Sequence, residues 1–141
     1  MSAISHDVFA PLMRSAVMRA VKSADTGPER RVRALVRELG FARRYRLNRV
    51  DLPGKPDLAF AALGKVVFVH GCFWHGHDCK RGARQPKHNA QYWITKIARN
   101  RQRDAAARAT LIAEGWSVLT VWECQTHENL ALRRKLARFL R

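Results

Sequence analysis

The segment VVFVHGCFWHGHDC, residues 66–79, begins as an apolar strand and then crowds three histidines, two cysteines, a phenylalanine and a tryptophan into its last ten positions. Cys124, far downstream at the end of another apolar run, is the only other cysteine. Zinc prefers four thiolate or imidazole ligands in a tetrahedron, and a closed set of this kind is structural because no position remains for water. Three cysteines therefore want one histidine. The ion would clip an irregular loop to the strand that delivers Cys124, a stronger constraint on the fold than any other feature of the chain. Spacing leaves the fourth ligand open: C-x2-H through His75 and H-x-C through His77 are both reasonable. The histidine left over stands with His70 beside a rigid site, an arrangement that invites catalysis. Cysteine and histidine seldom cluster so tightly without a metal, so unligated buried cysteines are the weaker reading.

Charge points to the partner. The 141 residues include 27 Lys plus Arg against 11 Asp plus Glu, a formal net charge of +16. So basic a body implies a polyanion. Nucleic acid is favoured over a membrane surface because the basic residues are spread through every expected element rather than stacked beside one hydrophobic anchor. A GC-rich coding sequence explains the choice of arginine but not the shortage of acids. The longest apolar run, residues 58–64, falls far short of the ~20 needed to span a bilayer. The N-terminus lacks the pattern of a secretory signal, and the amphipathic stretch from Phe9 to Lys22 resembles a transit peptide only faintly. Three cysteines without an export signal fit a reducing cytoplasm. Length and a 47% hydrophobic share fit one globular domain over residues 1–141.

Phe9, Leu12, Met13, Ala16, Val17, Ala20 and Val21 recur at helical spacing and predict a first helix. A second starts at Thr26, where T-G-P-E forms a capping-box pattern with Glu29, continues through Val32, Leu35, Val36 and Leu39, and stops at Gly40. FARRYRL, residues 41–47, alternates like a strand. After the turn-rich VDLPGKPD, LAF and KVVFVH read as a hairpin joined through Ala61 to Gly64. There follow a helix from about Asn89 to Glu114 closed by Gly115, a strand from Trp116 to Glu123, and a last helix from about Glu128 to Leu140 with Leu132, Leu136 and Phe139 on one side. The order αα, βββ, α, β, α indicates an α/β fold, a mixed sheet flanked by helices.

Hydrolysing a phosphodiester needs a hard cation such as Mg2+ held by a carboxylate, and a base to take a proton from water. Asp57 follows Pro56 at a strand entrance, and the partner strand ends in His70. Asp57 thus suits the ligand and a histidine the base. Proline-aspartate is common in turns, so the pair gains weight only beside the histidine cluster and the charge.

LPGKPD at 52–57, FVHGCFWHGHDC at 68–79, YW at 92–93 and VWEC at 121–124 together resemble the very short patch repair DNA mismatch endonucleases, a branch of the restriction-endonuclease-like nucleases. The resemblance runs from about Ser15 to Cys124. It implies a restriction-endonuclease-like core with structural zinc on Cys72, His77, Cys79 and Cys124. It makes His75 the general base or acid, with His70 assisting at the phosphate. Asp57 would hold Mg2+ with the main-chain carbonyl of Val69, and Glu29 would support the catalytic histidine. The family usually has threonine where this chain has Val69; the change is harmless if only the carbonyl matters and lowers activity if the hydroxyl helps. Glu29 also has its capping role to explain it. The stretch after His75, GHDC, is less histidine-rich than in some relatives, yet the ligand positions survive.

The resemblance also accounts for the aromatics. Phe73 and Trp74, with a share for Trp93, would wedge into a base stack, and unstacking costs less at a mismatch than at a normal pair. Met18, on a DNA-contacting helix within residues 1–24, would work from the other groove. Lys96, Asn100, Arg101 and Arg103 suit phosphate or base-edge contacts. Core packing competes with these roles more strongly for Met18, on its helical period, than for Trp74 in a polar loop. The implied activity is nicking of duplex DNA at T:G pairs left by deamination of 5-methylcytosine, by a monomer at the bacterial nucleoid working with mismatch-repair factors. Two rivals are a zinc-stabilised nucleic-acid-binding module without catalysis and a restriction-type nuclease acting on matched DNA.

Overall fold

The computed structural model describes residues 25–80 and 88–141; the expected helix from Phe9 to Lys22, and Met18 with it, lies outside the described residues. Helix α1, Gly27–Glu38, starts as its sequence requires. Thr26 Oγ1 accepts the Glu29 N–H at 3.3 Å, Glu29 Oε2 accepts the Thr26 N–H at 3.3 Å, and Pro28 sits in the first turn. At the other end the Gly40 N–H reaches the Arg37 carbonyl at 3.0 Å and the Phe41 N–H the Val36 carbonyl at 3.1 Å. This is a Schellman closure, with Gly40 in the left-handed region at φ +92°.

That closure corrects the strand expected over residues 41–47. Phe41 ends the helix, the chain turns through Arg43 at φ +65°, and only Arg46–Leu47 pair as β1. The alternation has another cause: Phe41 and Tyr45 both pack on Phe60, with ring centroids 6.3 and 5.5 Å away.

The sheet contains β1, β2 (Leu58–Phe60), β3 (Lys65–His70) and β4 (Ser117–Trp122) in that spatial order. The first three run antiparallel, β2 and β3 forming the expected hairpin through a 3-10 turn at Ala61–Leu63 and Gly64. β4 lies parallel to β3, and a parallel neighbour needs a crossover. Helix α2, Ala90–Ala113, supplies it. Side chains alternate between the two faces of the sheet. Leu58, Phe60, Val67 and Val121 join Val32 and Val36 of α1 and Leu132, Leu136 and Leu140 of α3 (Asn129–Leu140) in one core. Ala59, Val66 and Phe68 meet Leu111 of α2 in another. Each such aliphatic or aromatic side chain taken out of water contributes about 1.5–3 kcal/mol. On α3, Leu140 completes the buried stripe; Phe139 is only partly covered, with Lys65 Nζ 5.5 Å from its ring. The fold is the expected α/β type, a mixed sheet between helices. No helix among the described residues is long and apolar enough to cross a membrane.

Candidate active site and metal centre

Because β2 runs against β3 and β4 runs with it, the start of β2 and the ends of β3 and β4 meet at one rim of the sheet. Asp57 precedes β2, His70 ends β3, and Trp122 ends β4 directly opposite His70. A cleft of about 630 Å³ opens there, and Glu29, Asp57, Val69, His70, Trp74, His75, Lys96, Asn100, Arg103 and Asp104 all line it. Strand pairing thus brings Asp57 beside Val69 and His70, and α1, α2 and the loop after β3 supply the rest.

Asp57 Oδ2 accepts the Val69 N–H at 2.6 Å. Burial raises the Asp57 carboxyl to about 7; the Val69 N–H opposes the shift, and the adjoining Glu29 carboxyl adds to it. Glu29 is 7% exposed and its Oε2 also accepts the Asp25 N–H at 2.5 Å. It therefore caps α1 and crowds Asp57 at once, forming a pair of acids whose shared charge a cation would relieve. The Val69 side chain packs against the α1–α3 core, so what meets Asp57 is its main chain.

His70 and His75 stack with ring centroids 3.9 Å apart and planes 3° from parallel. His75 Nδ1 lies 2.7 Å from Asp104 Oδ2. Burial, then the neighbouring His75, lowers His70 to about 4 against the pull of Asp104, so its ring is neutral at physiological pH. Its Nδ1 is buried without a hydrogen-bond partner among the described residues. Glu29 lies against Asp57, and the carboxylate on His75 is Asp104.

The loop after β3 coils back on itself: the His75 N–H donates to the Gly71 carbonyl at 3.2 Å, His77 to Cys72 at 2.9 Å and Cys79 to His77 at 2.9 Å. Cys72, His77 and Cys79 thereby converge with Cys124, which follows β4 in a 3-10 turn at Glu123–His127, and the four donor atoms lie within 4.8 Å of one another. Cys124 Sγ is 3.6 Å from His77 Nδ1, and the Cys124 N–H points at Cys72 Sγ from 3.3 Å. Burial pushes the Cys72 thiol up to about 12; the Cys124 N–H opposes this and the Cys124 and Cys79 thiols add to it. A cation in the group would reverse that balance by favouring the thiolate. Three sulfurs and one imidazole fit a closed tetrahedral site for a soft divalent ion. His75 stands outside this set, on Asp104.

Gly76 separates the two histidines by a tight turn at φ +63°, and a Cβ there would fall 2.7 Å from Ile97 Cγ2 and 2.8 Å from Arg101 Cδ on α2. Gly76→Ala is expected to lower stability by about 1–3 kcal/mol and to loosen metal retention. Calorimetry with metal analysis checks this; an unchanged melting temperature would mean that the loop does not rest on α2.

Phe73 and Trp74 meet at right angles, centroids 5.1 Å apart, over Trp93, which lies 6.0 and 5.2 Å from them. Phe73 and Trp74 are partly exposed, whereas Trp93 is 1% exposed and forms their floor. Asn100 donates to the Trp74 carbonyl at 2.7 Å and accepts from Arg103 at 2.5 Å, bracing the loop. Sequence reasoning missed Asp104, although it is the sole acid within α2. It also missed Trp122, whose indole stacks on His77 at 4.2 Å and 11°.

The family model described as DNA mismatch endonuclease Vsr matches residues 6–81. The chain is 46% identical over 134 residues to the type II nicking enzyme V.XorIIP of Xanthomonas oryzae pv. oryzae, covering 95% of this chain and 96% of that one. It is 40% identical over 135 residues to the type II nicking enzyme V.NmeAIP of Neisseria meningitidis, covering 96% and 94%. Against the DNA mismatch endonuclease Vsr of Escherichia coli it is 39% identical over 118 residues, covering 84% and 74%. Likeness of this extent, running through the acid and histidine cleft and the Cys/His cluster beside it, means that the chain belongs to the Vsr family of DNA endonucleases.

Proposed function

We propose that this endonuclease nicks duplex DNA beside the thymine of a T:G pair in a reaction that depends on Mg2+, as a monomeric single domain over residues 1–141 acting at the nucleoid with mismatch-repair factors. What carries the reading is one observation: Asp57, the His75–Asp104 pair and the Phe73–Trp74 loop share a single cleft or its edge.

Asp57, with the main-chain carbonyl of Val69, would hold the Mg2+, which when bound offsets the charge that develops on the phosphate. Glu29 stands against Asp57 and completes a pair of acids that a divalent cation would stabilise. His75 acts as the base. Asp104 at Nδ1 keeps the ring's proton on that side and leaves Nε2 to accept one from water. His70, held neutral by burial, fixes the plane of His75 by stacking and assists at the phosphate. Cys72, His77, Cys79 and Cys124 would hold zinc, which braces the loop. Phe73 and Trp74 enter the stack at the mismatch, supported from below by Trp93, while Lys96, Asn100, Arg101 and Arg103 meet the DNA from α2 and Met18 from the N-terminal segment.

A strand-resolved nicking assay on a T:G duplex and its paired control, with Mg2+ supplied or withheld, tests the reading. Cutting of the T:G duplex alone, and only with Mg2+, is expected. Equal cutting of both duplexes would favour a restriction-type nuclease, and binding without cutting a non-catalytic module. Affinity should fall by about a decade or more between roughly 50 and 200 mM salt; a flat response would remove the basic surface as the docking face.

A further inference from the structure

Four rings run in an unbroken series between the metal centre and the base. His77 stacks on Trp122 at 4.2 Å and 11°, Trp122 meets His70 in a T-shaped contact at 5.4 Å and 70°, and His70 stacks on His75 at 3.9 Å and 3°. Trp122 also touches His75 directly, 6.4 Å away at 67°. The backbone that carries the indole is fixed as well. The Trp122 backbone stands opposite His70 in the β3–β4 register, and its main-chain N–H donates to Gln125 Oε1 at 2.9 Å. Aromatic pairs in stacked and edge-on geometry are directional. A series of them resists rotation of any one member. Asp104 restrains His75 through a single hydrogen bond at Nδ1. That bond alone leaves the imidazole free to swing about its Nδ1 contact, and the ring series removes this freedom.

We infer that Trp122 is a positioning residue that transmits the orientation of the metal-held His77 to His70 and through it to His75. The inference rests on the proposed role of His75 as base. Trp122 touches neither water nor phosphate in the reaction; it sets the angle at which His75 takes its proton, and reacting groups displaced by about 1 Å can cost about 100-fold.

The test is single-turnover and steady-state nicking of T:G duplex by Trp122→Leu, Trp122→Phe and His75→Ala, with metal content, melting temperature and duplex Kd measured on each. Trp122→Leu is expected to lower kcat by about 10–100-fold, with KM and Kd within about 2-fold of wild type and one equivalent of metal retained. Trp122→Phe, which keeps an aromatic face, should recover most of the loss. Wild-type kcat in a metal-loaded Trp122→Leu protein, or a Phe variant no faster than Leu, overturns the inference. If His75→Ala nicks as fast as wild type, the reading of His75 itself has failed instead. A second measurement needs no variant: exchange of Zn2+ for Cd2+, whose longer bonds displace His77, should move the imidazole 15N signals of His70, and unmoved signals overturn the inference.

Discussion

Asp57→Asn should abolish nicking, by about 1,000-fold or more, while making the metal-free protein more stable above neutral pH. The two effects have one source. In the folded chain burial and the Glu29 carboxyl lift Asp57 from 3.8 to about 7, so the folded state keeps a proton that the unfolded state releases near pH 4. For a carboxyl raised in this way the favourable contribution is present at low pH and fades as pH climbs from about 4 to about 7. Beyond that, a buried ionised carboxylate beside a second acid is a net cost. Asparagine keeps an oxygen for the Val69 N–H, offers Glu29 an amide donor, and carries no charge. Near pH 8 without divalent ions the variant is expected to be more stable by on the order of 2 kcal/mol, an advantage that shrinks towards pH 5. Adding Mg2+ should stabilise the wild type and leave the variant unmoved. Melting curves across this pH range, with and without Mg2+, check it; a variant that melts lower than wild type at pH 8 refutes the crowded-acid account.

Cys124→Ala should have the next largest effect, and on a different quantity. Its thiol is the one donor of the cluster that comes from beyond α2, so its loss uncouples the loop from β4. The sheet keeps both of its cores, and the expected result is local loosening rather than global unfolding. Metal should be lost, the melting temperature should drop by on the order of 10 °C, and amide protection should vanish from residues 72–79 while β2 and β3 retain theirs. Chelation of the wild type should reproduce the pattern. A Cys124→Ala protein with full metal content and wild-type melting would remove Cys124 from the cluster.

Much of the architecture could be read from local chemistry. The capping box at Thr26 and Glu29, the stop at Gly40 and the apolar periodicity of α1 and α3 each state a helix in terms that tertiary structure does not override. The alternation from Phe41 to Leu47 misleads because it records which side chains are buried and not what backbone carries them. Two aromatics that land on Phe60 from either side of a turn leave the same trace as a strand. The assignment of His77 to the cluster and His75 to Asp104 was out of reach of spacing, since it depends on a reversal of the chain at Gly76 and on the seat that α2 provides for it. Asp104 was hidden for a related reason: the polar face of a basic helix gives no sign of which side chain turns towards a histidine 29 positions earlier.

The crossover between β3 and β4 also bears on when the nuclease becomes active. Cys72 and Cys124 are 52 positions apart, and His70 finds its neighbour Trp122 only across that interval. Contacts so distant along the chain close late, since loop entropy is lost before any pairing is gained. A nascent chain that has left the ribosome as far as α2 already contains Asp57, His70 and His75, but not β4, Trp122 and Cys124, which join them only in the folded chain. On the proposed assignment of the site, a translation product broken off before Trp116 would lack β4, the indole and the last thiol, and is expected not to nick.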